Sequence, residues 1–67
     1  MQKTLAKTEV GETTIYLKET HPDEFGVYEF RNGKPENAYH CMTQDHALSV
    51  FDMTVRSSIK NHLAALV

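Results

Sequence analysis

Hydrophobic and polar positions follow two rhythms along this chain. Up to about Met42, short runs of period two are broken by turn signals at Gly11-Glu12, His21-Pro22-Asp23-Glu24 and Asn32-Gly33. From Thr43 onward a single helical rhythm runs on with no Gly or Pro inside it. The pattern predicts strands over about residues 3–10, 13–20, 25–31 and 36–42, then a helix over about 44–65.

The clearest strand is 13–20, Thr-Thr-Ile-Tyr-Leu-Lys-Glu-Thr, rich in the branched and aromatic residues that suit extended backbone. Period two sets Ile15 and Leu17 on one face, and Tyr16 and Lys18 on the other. In 25–31, Phe25 and Val27 share a face opposite Tyr28 and Phe30. The segment 3–10 reads as an edge strand, because Lys3 and Lys7 discourage pairing with another chain.

Asn32-Gly33 is the strongest local hairpin signal. A two-residue loop would pair Val27 with Ala38 and Phe25 with His40. A three-residue loop, Asn32-Gly33-Lys34, pairs Val27 with Tyr39 and Phe25 with Cys41. The second register is preferred, since it gathers more apolar surface on one face and leaves Pro35 at the start of its strand.

In the helical region Thr43 is an apt N-cap, and Asp45 meets the positive end of the helix dipole. Leu48, Phe51, Val55, Ile59, Leu63 and Leu66 recur at a mean spacing of about 3.6, which predicts one apolar stripe against the sheet. Asp52 and Arg56, four apart, are placed to pair. A helix over 44–65 would run roughly 33 Å, whereas seven-residue strands reach only about 23 Å. The helix is therefore expected to overhang the sheet or to kink near Thr54 to Ser58, leaving Leu63 and Leu66 for another chain to cover.

The fold class that follows is α+β: an antiparallel β-meander of three or four strands with one long C-terminal helix packed on one face. Neither the sheet's apolar face nor the helix stripe can remain wet, so each needs the other. Sixty-seven residues make a single domain with a thin core.

Composition narrows the function more by exclusion than by pointing. Seven basic and nine acidic side chains give a formal charge of −2, and the basic residues are scattered. That disfavours a broad phosphate-binding surface. Cys41 is the sole cysteine, so no disulfide framework exists within the chain, and a lone thiol suits a reducing compartment. The first residues lack the apolar core of a secretory signal, and no apolar run approaches the roughly 20 residues of a membrane span. The expected setting is cytoplasmic, away from membranes.

Residue types capable of chemistry are few. His40, Cys41 and His46 have the character of zinc ligands, but neighbours in a strand point to opposite faces, so His40 and Cys41 do not share an ion. Cys41 with His46 resembles a nucleophile and base, without the oxyanion site and cleft that catalysis needs. Cys41 is better read as a small core hydrophobe. Glu29 and Glu36 are expected to face each other across the third hairpin as surface groups. No enzyme, no metal and no cofactor are expected.

Two surfaces remain as candidate interfaces. One is the aromatic set Tyr16, Tyr28 and Phe30 on the sheet face away from the helix, and the other is the distal helix with Ile59, Leu63 and Leu66. Tyr and Phe are enriched at protein interfaces, and on a sheet they also stack bases. The expected function is a small protein-binding or regulatory module acting by surface recognition, with a homodimer as one form. The alternative is a nucleic-acid-binding module using the aromatic face with Lys18, Arg31 and Arg56.

Overall fold

A computed structural model describes residues 2–66. Four strands, β1 (Lys3–Val10), β2 (Thr13–His21), β3 (Glu24–Arg31) and β4 (Lys34–Cys41), precede one helix, α1 (Gln44–Ala65). The strands form one antiparallel sheet in sequence order, so β1 and β4 are its edges. The helix packs across one face, as the two apolar rhythms require.

Each turn has the residues its backbone demands. Asn32 and Gly33 both hold positive φ (54° and 78°), as in the type I′ turn whose twist matches a hairpin. Pro22 and Asp23 occupy the second turn, with Asp23 at φ 63° in the place where a type II turn calls for the left-handed region. Gly11 opens the first turn at φ 58°. The Asn32 N–H donates to the Glu12 carbonyl at 3.0 Å, tying the first and third turns together at one end of the sheet.

The register fixes which side chains share a face. Across the helix side run the rows Ala6, Leu17, Val27, Tyr39 and Thr8, Ile15, Glu29, Asn37, with Phe25 and Cys41 beyond them. Ile15, Leu17, Phe25, Val27, Cys41 and Ala47 are buried, and Ala6, Val50, Phe51 and Val55 pack around them. This is the expected α+β core, and Cys41 sits in it as a hydrophobe, 1 % exposed.

Three details differ from the sequence expectations. The first strand keeps its predicted limits, whereas β2, β3 and β4 begin or end one or two residues away from theirs, and Met42 lies outside β4. Val27 does face Tyr39, and Phe25 does face Cys41, but through a two-residue turn in which Arg31 pairs with Lys34. The extra residue is Glu36, bulged between Pro35 and Asn37, so Pro35 lies inside an edge strand beside a bulge, where a missing donor is tolerated. Glu36 consequently does not face Glu29, whose partner across the hairpin is Asn37.

The third difference concerns α1. Thr43 caps it as expected, its hydroxyl accepting from the His46 N–H at 3.2 Å, and Asp52 pairs with Arg56 at 3.0 Å. The helix nevertheless sets only part of its apolar arc on the sheet, with Phe51 and Val55 the stripe residues that pack there. The side chains buried on it are Ala47 and Ser58, with Val50, Phe51, Thr54 and Val55 half-buried. At 100° per residue, this face lies about a quarter turn from the arc through Leu48, Ile59 and Leu66. Small residues at the contact allow close approach of helix and sheet, and they leave the long side chains on the flank. The helix is continuous through Thr54 to Ser58, and the Thr54 hydroxyl donates to the Val50 carbonyl at 2.8 Å.

Candidate functional site

On the sheet's open face the register lays out three rows: Thr4, Lys18, Gly26, His40, then Lys7, Tyr16, Tyr28, Ala38, then Glu9, Thr14, Phe30, Pro35. Tyr16, Tyr28 and Phe30 therefore share one patch, as their strand parity predicts. Tyr16 meets Phe30 edge to face at a centroid distance of 5.6 Å. The Lys18 ammonium lies 4.9 Å from the Tyr16 ring centre and 5.8 Å from that of Tyr28, and Lys7 lies 5.7 Å from Tyr16 on the adjoining strand. Glu9 is the one acid in these three rows, and its own contact with Lys7 is an exposed pair at 3.8 Å. The patch is half-buried by its own members, with the lysines covering the rings.

Gly26 is part of this arrangement. A Cβ at that position would stand 2.5 Å from the Tyr28 hydroxyl oxygen and 2.7 Å from its ring carbons. The glycine lets the Tyr28 side chain lie down across β3. Beside it, small Ala38 leaves a shallow hollow of about 200 Å³, lined by Tyr28, Phe30, Pro35, Glu36, Asn37 and Ala38.

The second surface is the flank of α1. Leu48, Ile59, Leu63 and Leu66 are 46, 43, 55 and 70 % exposed, along more than four turns of helix. Of the predicted interface residues, Ile59, Leu63 and Leu66 thus lie uncovered on the helix. Leu48 joins them, although its place in the stripe had assigned it to the core. Between the last turns of the helix and the turn end of the sheet lies a wedge of about 370 Å³, with Glu29, Arg31, Ser58, Asn61 and His62 among its walls.

One polar group under the helix was not anticipated. Glu29 lies on the core side of β3 and accepts two hydrogen bonds, from the Asn37 side-chain amide at 2.8 Å and the Ser58 hydroxyl at 3.2 Å. It ties the middle of the helix to both strands of the third hairpin. The available signal was parity: Glu29 alternates in phase with Phe25 and Val27, and a charged residue in that phase needs partners.

The histidines and the thiol do not converge. Cys41 is buried on the helix side, His40 lies on the open face and His46 is exposed in the first turn of the helix. Among the described residues no group of three or more His, Cys, Asp or Glu is placed to hold a metal. Among them, too, no helix is long and apolar enough to cross a membrane. Comparison with protein-family models, curated proteins and solved structures finds no match to this chain.

Proposed function

We propose that this is a small protein-binding or regulatory module that acts by surface recognition rather than by catalysis, in a cytoplasmic setting. One observation carries the reading: four large aliphatic side chains on a single flank of α1 are left in water although the helix has a sheet to pack on. Isolated exposed leucines are ordinary, but Ile59, Leu63 and Leu66 follow one another on successive turns, and a cluster of that kind is the mark of a contact surface. Ile59, Leu63 and Leu66 stand at i, i+4 and i+7, the anchor spacing of a helix that seats in an apolar groove. The partner this fits is a protein presenting such a groove.

The test compares capture by the wild type, Leu63→Asp and Tyr28→Ala, with circular dichroism to verify folding. The reading expects specific proteins retained by the wild type and by Tyr28→Ala, and lost with Leu63→Asp. Identical capture by all three would remove the helix flank from consideration.

A second reading has its own observation, the Lys7 and Lys18 ammonium groups set among Tyr16, Tyr28 and Phe30 on an open sheet. Aromatic platforms edged by cations hold single-stranded nucleic acid. The net charge of −2 weighs against it. Fluorescence titration with short oligonucleotides decides: binding that weakens as salt rises and is lost in Lys18→Ala supports it, because phosphate contacts release counterions.

A further inference from the structure

From the contrast between the two sheet edges we infer that β4 is a self-pairing edge, through which two copies of the chain join into one eight-stranded antiparallel sheet. The inference stands apart from the helix flank, and either surface can fail without the other.

The edges are built differently. β1 carries Lys3 and Lys7 and is bulged at Leu5, the devices by which exposed strands avoid other chains. β4 carries its bulge and its proline only at the start. From Asn37 to Cys41 it runs in regular pairing with β3, and Asn37, Ala38, Tyr39, His40 and Cys41 include no Lys, Arg, Asp or Glu. All but Cys41 are exposed, and the outer row of backbone N–H and C=O groups of an edge strand is free to pair.

A second copy fits this edge in charge and in size. With a two-fold axis at Tyr39, Tyr39 meets Tyr39 of the second copy, Ala38 meets its His40 and Asn37 its Cys41. No like charges are set opposite each other anywhere from Asn37 to Cys41, whereas opposed like charges destabilise strand pairs. On the open face, His40 of the second copy stands over Ala38, at the hollow of about 200 Å³ beside Tyr28 and Phe30. On the helix face the two Tyr39 rings, each 43 % exposed, cover one another. The contact uses the same patch on both copies, so it closes as a dimer and does not grow into a filament.

Light scattering after size exclusion tests this on the wild type, Tyr39→Lys, Tyr39→Glu and Leu63→Asp. The expected result is a mass near twice 7.6 kDa for the wild type and for Leu63→Asp, and the single mass for Tyr39→Lys alone. An equal mixture of Tyr39→Lys and Tyr39→Glu should regain the double mass, since opposite charges then face each other at the axis. A wild type that stays monomeric up to its solubility limit overturns the inference. So does a Tyr39→Lys protein that remains dimeric. A dimer that is split only by Leu63→Asp would assign self-association to the helix flank and leave β4 unpaired.

Discussion

At the scale of single residues, Glu29 and Gly26 decide more than their types suggest. Glu29 is the polar contact between the helix and the third hairpin, and its carboxylate has two donors. Glu29→Ala leaves Ser58 and Asn37 without that acceptor and should cost about 1–2 kcal/mol in urea unfolding. Glu29→Gln, which keeps an oxygen acceptor, should recover part of the loss. Gly26 is held by the side chain lying over it. Gly26→Ala should push the half-exposed Tyr28 ring off β3 and destabilise by no more than about 1 kcal/mol. In a Tyr28→Ala background the same substitution should be nearly silent, and a double-mutant cycle measures that coupling. Neither role is visible in hydropathy, which scores a glutamate and a glycine in a strand only as interruptions.

At the scale of elements, the strands and the helix were readable because burial on one side imposes a period. Ile15, Leu17, Phe25, Val27 and Cys41 alternate in phase, and that phase selected the Val27–Tyr39 pairing found in the sheet. Thr43, chosen as cap because a side-chain oxygen there meets a free N–H, is the cap. Thr43→Ala should cost about 1 kcal/mol, with faster amide exchange in the first helical turn. The helix orientation was not readable in the same way. A hydropathy stripe assumes that the greasiest arc faces inward, whereas Ala47 and Ser58 lie innermost because they are small. The aromatic set was legible from parity alone, while the exposure of Leu48 and Ile59 depended on that rotation. Stability should separate the two arcs. Leu63→Asp, on the flank, should change unfolding free energy by no more than about 0.5 kcal/mol. Ile15→Ala, wholly buried beneath the helix, should cost about 2–5 kcal/mol.

At the scale of the whole molecule, the core is small and several large apolar side chains lie outside it. Six residues make the buried cluster, and four big aliphatic side chains on the helix lie outside it. A domain this short gains little from its own interior, so a partner that covers either surface raises its apparent stability by mass action. Thermal midpoints that climb with protein concentration would register self-pairing without any labelled partner. The bulge at Glu36 has a consequence for how such a chain tolerates change. It sits upstream of every β4 side chain that matters, and it sets their phase like a spacer in a reading frame. Excising that single glutamate would leave Asn37 to Cys41 opposite the same β3 partners, whereas keeping it and straightening the strand would turn His40 inward under the helix and Cys41 outward into water. Loss of Glu36 should therefore be nearly harmless, while loss of one residue between Asn37 and Cys41 should be ruinous.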